Sequence, residues 1–202
     1  MNRLIIGTGS GRCGTHSLAE LFDSQENIVA FHEMKPVMPW KFSRKHFHER
    51  VARLGLMDGI ICDVALYHSA YLSHFIRKWP STRVIVLQRD KEMTVASFNM
   101  AFIAKDYFRD DEETPMDWKA AFPTYSKDES KWSATQKYYE DYYNRIAELV
   151  KRYPKNIRIF DTNCLNTEAG VEAILDFAGI KDRNIITGIQ KHKMGVWNGD
   201  EG

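Results

Sequence analysis

Two short stretches of the chain hold the residues best suited to chemistry. The first is Gly9-Ser10-Gly11-Arg12-Cys13-Gly14-Thr15-His16-Ser17, which follows the apolar run Leu4–Ile6. Its glycines allow a tight turn. Thr15, His16 and Ser17 then open a stretch with Leu18, Leu21 and Phe22 spaced for one buried helical face. A strand, a glycine turn and a helix start make a seat for an anion. The first amides of a helix have no partner within it, and the helix dipole favours negative charge there. Arg12 adds a planar guanidinium for phosphate or sulfate oxygens. The second stretch is Leu87-Gln88-Arg89, with Ser97 eight residues after Arg89. An arginine at a strand end and a hydroxyl on the next helix can share one phosphate.

Three readings of the glycine loop compete. Gly9 and Gly14 have the spacing of a nucleoside-triphosphate loop, but Thr15 stands where that loop has lysine, so the cation for the terminal phosphates is missing. Gly9, Gly11 and Gly14 also satisfy a dinucleotide fingerprint, with Glu33 about 20 residues on, where the ribose-binding acid belongs. Under that reading the chain is a Rossmann-type oxidoreductase. The third reading rests on Arg12, Cys13, Gly14, Thr15, His16 and Ser17. It takes a phosphosulfate, which needs hydrogen-bond donors and a cation rather than a metal clamp. A nucleotide-binding module without catalysis is compatible with the same residues. For proton transfer, His32 and Glu33 follow the second apolar run at the same sheet edge. Neighbours in extended chain point to opposite sides, so one of the two faces the cleft. Either can serve as base, and capping of the next segment is the competing role for each.

The elements that must position these residues are legible from periodicity. Strands are expected at Arg3–Thr8, Ile28–Phe31, Gly59–Leu66, Arg83–Leu87 and Ile157–Phe160. Helices are expected at Thr15–Asp23, Trp40–Leu54, Ser69–Trp79, Asp90–Ala104 and Thr167–Ala178, the last ending at Gly179. Short apolar strands alternating with helices imply a parallel sheet covered on both faces. Residues 105–131 interrupt the alternation and read as an acceptor-side insertion or lid, or as a solvated charged loop. Tyr138, Tyr139, Tyr142 and Tyr143 at helical spacing read as a core stripe rather than a sugar platform. Lys41, Arg44, Lys45, Arg50 and Arg53 read as a solvated helix face, with an anionic acceptor as the sharper option. Asp63 at the third strand's end orients a neighbour or the acceptor.

The bulk properties bound the function class. A chain of 202 residues with a formal charge of +1 suggests one domain, 1–202, and no field that attracts nucleic acid or membrane. Cys13, Cys62 and Cys164 are far apart and odd in number, which argues against a disulfide framework. No run approaches the ~20 apolar residues of a spanning helix, and a cytoplasmic location is expected. His46 and His48, two apart on a helix, do not share a face, so no metal is expected.

Taken together, the motifs resemble those of the sulfotransferases that use 3′-phosphoadenosine 5′-phosphosulfate (PAPS). In that family a [KR]-x-G-[ST] loop holds the 5′-phosphosulfate, and an arginine followed eight residues on by serine holds the 3′-phosphate. Arg12-Cys13-Gly14-Thr15 and Arg89…Ser97 match in order and in place, and Ile157–Ile180 resembles the family's later strand and helix. The arginine at position 12 is closer to carbohydrate-type and bacterial members than to the cytosolic aryl members, which carry lysine. The resemblance implies an α/β, three-layer P-loop-like fold with a central parallel sheet of about five strands and helices on both faces. It also implies PAPS as donor, 3′,5′-ADP as product, no metal, and a small-molecule or carbohydrate hydroxyl as acceptor. Arg12 would stabilise the leaving phosphate. The family's base is a His in some branches and a Glu in others, and since a carboxylate is common at this place in bacterial carbohydrate-type members, the resemblance favours Glu33 over His32. The basic glycine motif near the C-terminus of cytosolic members has no close copy. Lys191 and Lys193 in Lys191–Gly199 are the nearest counterparts and are expected at the same end of the nucleotide.

Overall fold

Strand β1 (Arg3–Thr8) is buried from its second residue to its last, so it must lie inside a sheet covered on both sides. The computed structural model describes residues 3–101, 107–108, 116–126 and 128–188. After β1 come α1 (Thr15–Asp23), β2 (Ile28–His32), α2 (Arg44–Gly55), β3 (Ile60–Val64) and α3 (Leu72–Lys78). They are followed by β4 (Arg83–Gln88), α4 (Lys91–Ala101), α5 (Met116–Ala120), α6 (Lys131–Arg152), β5 (Ile157–Asp161) and α7 (Glu168–Ala178).

The five strands are all parallel, in the order β2-β3-β1-β4-β5. Alternate residues of each strand serve opposite faces. Leu4, Ile6, Val84 and Val86 pack against α2, α3, α4 and α6. Ile5, Ile85 and Leu87 pack against Leu18, Leu21 and Phe22 of α1 and Val171, Ile174 and Leu175 of α7. The result is the three-layer parallel α/β fold read from the sequence.

The strand order decides between two readings of the glycine loop. In a dinucleotide fold β2 lies next to β1, and the acid at its end reaches the ribose. Here β3 lies between them, pairing Ile5 with Cys62 and Ile28 with Ile60. Glu33 is thus two strands from the loop, about 10 Å at a spacing of ~4.8 Å per strand.

Helix ends follow local chemistry. Ser130 caps α6 by accepting from the Ser133 amide at 3.1 Å. Thr167 caps α7, which closes at Gly179 with φ 69°. α5 and α6 are not among the expected helices, and two of the five expected ones begin three or four residues late. α2 begins at Arg44 rather than Trp40, because the Trp40 amide donates to the Ala120 carbonyl at 2.7 Å and its ring packs on Tyr138 and Tyr142. The helix expected from Ser69 is preceded by a 3-10 turn at Leu66–Ala70, and its α-helical part begins at Leu72. The described parts of the 105–131 insertion are packed: Tyr107 and Phe108 are buried against Phe122, and Phe108 also meets Tyr138.

Candidate active site

The carboxyl ends of β1 and β4 are neighbours, with Thr8 in register with Val86. The loop after β1 and the turn after β4 therefore share one edge, where open α/β sheets bind ligands. Gly11 and Gly14 have φ of 87° and 90°, the left-handed region that a side chain resists. Gly14 hands the chain to α1, and no side chain caps that helix. Cys13 is fully buried, its thiol pushed up to about 11 by burial, so what it offers the edge is its backbone. Its carbonyl accepts from the Thr162 hydroxyl at 2.8 Å. Ser17 is half-buried in the first turn of α1.

Arg12, Arg89 and Ser97 meet, although Arg89 lies 77 residues beyond Arg12. The Arg12 Nε donates to Ser97 Oγ at 3.2 Å, and an Arg89 Nη donates to the Arg12 carbonyl at 3.2 Å. Burial, then the nearby Arg89 charge, lower the Arg12 guanidinium from its ordinary value, against an opposing pull from Cys13. Among the described residues neither arginine is paired with a carboxylate. Two guanidiniums held together without an acid make a site that favours an anion.

His32 and Glu33 part company at the end of β2. The His32 Nε2 lies 3.3 Å from Thr15 Oγ1, and its ring meets His16 edge-on at 4.9 Å. The His16 Nε2 is 3.4 Å from Glu20. His32 thus faces the phosphate loop. Glu33 takes φ 54°, and its amide donates to the Val64 carbonyl at 2.8 Å. Its charge acts on Tyr67 and Tyr107, on the other side of the sheet. Burial pushes the Glu33 carboxyl up to about 7, against the pull of Lys35. Among the described residues three non-glycines have positive φ: Arg12, Glu33 and Asn27, the last of a type that tolerates it. Such strain concentrates at functional positions.

The structure corrects one reading and completes two others. Arg50 is not part of a solvated face: it is 1% exposed and donates to Asp63 at 2.7 Å. It also donates to the carbonyls of Met34 and Pro36, so it ties down the segment that follows Glu33. The amphipathic pattern of α2 placed Arg50 three residues from Phe47 and four from Leu54, on the buried face. Asp63 therefore orients a neighbour, with His68 Nε2 3.3 Å from its other oxygen. Burial would raise the Asp63 carboxyl, but His68 and Arg50 hold it below the ordinary range. The four tyrosines of α6 are core residues, and their hydroxyls also bond the phosphate loop and the ends of β1 and β4. Sequence reasoning missed this second role. The available signal was their being tyrosine rather than phenylalanine, since a buried hydroxyl needs a partner.

A groove of about 570 Å³ lies along the segment after Glu33, lined by Lys35, Pro36, Val37, Pro39, His46 and Arg53. No acid lines it. Lys191 and Lys193 lie outside the described residues. Among those residues, no cluster of three or more His, Cys, Asp or Glu is arranged to hold a metal, and no helix is long and apolar enough to cross a membrane.

The fold and this edge define a class: the chain has the P-loop-like α/β fold of sulfotransferases. Over 94% of its length it is similar to a sulfotransferase from Alicyclobacillus acidocaldarius, with a TM-score of 0.58, 10% identity and 86% of that chain covered. Over 90% of its length it is similar to mouse sulfotransferase SULT7A1 complexed with PAP, with a TM-score of 0.54 and 16% identity. It spans 60% of that mouse chain. No protein-family model matches the sequence, and no curated protein is similar to it in sequence. The likeness is therefore one of fold.

Proposed function

We propose that the protein is a sulfotransferase that moves a sulfuryl group from PAPS to a hydroxyl acceptor, a carbohydrate or a small metabolite. The observation that carries this reading is the meeting of Arg12, Arg89 and Ser97 beside an uncapped helix start, with no carboxylate paired to either arginine among the described residues. Phosphate and sulfate oxygens only accept hydrogen bonds, and this edge offers donors and positive charge. The residues present thus fit a ligand with two anionic ends.

In this reading Arg12 and the backbone of Cys13, Gly14, Thr15, His16 and Ser17 hold the 5′ end. Arg89 and Ser97 hold the 3′-phosphate. PAPS, when bound, supplies an activated sulfuryl group on a phosphate leaving group. Arg12 and the α1 dipole stabilise charge that develops on the leaving side, without moving when it appears. Lys191 and Lys193 serve the same nucleotide. On the acceptor side Glu33 takes the hydroxyl proton. A carboxyl that titrates at about 7 is suited to that work at neutral pH. His32 keeps Thr15 and the loop in place. Lys35 and Arg53 along the groove beyond Glu33 support an acceptor bearing anionic groups.

The test is sulfuryl transfer from radiolabelled PAPS to a panel of neutral and anionic hydroxyl compounds, beside calorimetry with 3′,5′-ADP and 5′-AMP. Transfer to a hydroxyl and a clear preference for 3′,5′-ADP are expected. Equal affinity for the two nucleotides would sink the two-seat assignment. Tight 3′,5′-ADP binding without transfer to any acceptor would favour a non-catalytic nucleotide-binding module.

A further inference from the structure

The hydroxyls of α6 reach both halves of the site. Tyr138 donates to the Ser10 carbonyl in the glycine loop at 2.8 Å. Tyr139 donates to the Arg89 carbonyl at 2.6 Å and lies 3.3 Å from the Gln88 amide nitrogen, which donates to it. Tyr143 donates to the Leu87 carbonyl at 2.7 Å and accepts from the Ser10 amide at 3.4 Å. Tyr142 lies 2.6 Å from Thr8 Oγ1. The one Thr8 hydroxyl proton goes to the Ala65 carbonyl at 2.7 Å, so Tyr142 is the donor. All four side chains are buried. Phenylalanine would fill the same core volume, so the hydroxyls are present for these bonds.

We propose that Tyr138 and Tyr139 are positioning residues that set the two phosphate seats separately, Tyr138 through the glycine loop and Tyr139 through Arg89. This rests on the sulfotransferase reading above. Adjacent positions on one rigid helix anchor two carbonyls 79 residues apart in the chain. The Arg89 carbonyl sits in the two-residue turn between the end of β4 at Gln88 and the start of α4 at Lys91. Fixing that carbonyl aims the Arg89 side chain, which then reaches back to the Arg12 carbonyl. The Ser10 carbonyl lies on the loop that the 5′ end would touch, remote from Arg89 in sequence. Each bond therefore acts directly on one seat, and the Arg89 bond to the Arg12 carbonyl is the link between the two.

The experiment is calorimetry with 3′,5′-ADP and with 5′-AMP on the full chain, for wild type, Tyr139→Phe and Tyr138→Phe, with a thermal melt of each. Tyr139→Phe is expected to weaken 3′,5′-ADP about fivefold, the loss of one ordinary hydrogen bond, and to weaken 5′-AMP clearly less, so that the preference for 3′,5′-ADP falls. Tyr138→Phe is expected to weaken both nucleotides by the same factor. 4-Aminophenylalanine in place of Tyr139 keeps a donor there and is expected to restore the selectivity; it also carries the test if Tyr139→Phe fails to fold. Selectivity that survives in Tyr139→Phe, or stays lost with the amino analogue, overturns the inference and leaves the sulfotransferase reading standing. A wild type that does not prefer 3′,5′-ADP overturns both.

Discussion

Glu33 is the base of the proposed reaction, and its environment makes that role testable by pH. Its carboxyl titrates at about 7 in the folded protein against an ordinary value of 4.5. A base must be ionised, so kcat/KM is expected to rise with pH and level off above about 7. Glu33→Gln keeps the shape and removes the basicity. It should lower kcat by about 10²–10⁴-fold and leave 3′,5′-ADP affinity unchanged. The same shift makes a stability prediction. Below about pH 4.5 the carboxyl is neutral folded and unfolded, and it costs nothing. Between 4.5 and 7 the unfolded chain releases the proton and the folded chain keeps it, so stability falls as pH rises and the loss is complete above 7. Glu33→Gln escapes this cost. It should melt above wild type at pH 8 by roughly 2–4 °C for each kcal/mol recovered, and level with it at pH 4.5. A variant that is both inactive and more stable is the pattern of a strained functional site. Arg89 belongs to the same scale. Arg89→Ala should weaken 3′,5′-ADP by about 1.5–3 kcal/mol, the range for a hydrogen bond to a charged group, and calorimetry reads it directly.

At the scale of elements, the segment after Glu33 is held from below. Arg50 of α2 reaches Asp63 at the end of β3 and the carbonyls of Met34 and Pro36. Tyr67 adds a bond to the Met34 carbonyl at 2.6 Å. One buried ion pair thus joins a helix, a strand and the loop that leads away from the proposed base. Removing one member leaves the other charged and dry, which typically costs about 3–5 kcal/mol. Asp63→Asn should lose that much stability at pH 7 in urea unfolding. His68 and Arg50 hold the Asp63 carboxyl below its ordinary 3.8, so its contribution is present above that value and lost as pH falls through the lower folded one. The gap between Asp63→Asn and wild type should therefore persist down to about pH 4 and close only in stronger acid.

At the scale of the whole molecule, a nucleotide that bridges β1, α1, β4 and α4 should stabilise the folded chain by mass action. At a hundredfold excess over Kd the gain is about 2.7 kcal/mol, or roughly 5–10 °C in Tm for a chain of this size. 3′,5′-ADP should raise Tm by that amount and NAD should not. An equal shift with NAD would contradict the strand order, which keeps Glu33 two strands from the loop.

The sequence by itself determined the five strands and the three-layer arrangement, and it singled out the glycine loop, Arg89 and Ser97, which the fold brings together. These are written locally, in runs of apolar residues at strand or helix period and in glycines that only a turn requires. It did not settle the strand order, because Glu33 stands at the right distance along the chain for a dinucleotide fold as well. Which strand lies beside β1 depends on how β3 pairs, and pairing is a contact between distant segments. The sequence also left Arg50 on a solvated face and the α6 tyrosines as plain core. A charge on a helix is solvated unless something meets it, and what meets Arg50 is Asp63 on another strand together with carbonyls of a third segment. The tyrosine hydroxyls find their partners 50 residues or more away, in backbone that carries no side-chain signature. Tertiary structure alone could decide these, because each is a bond between groups whose only proximity is in the fold.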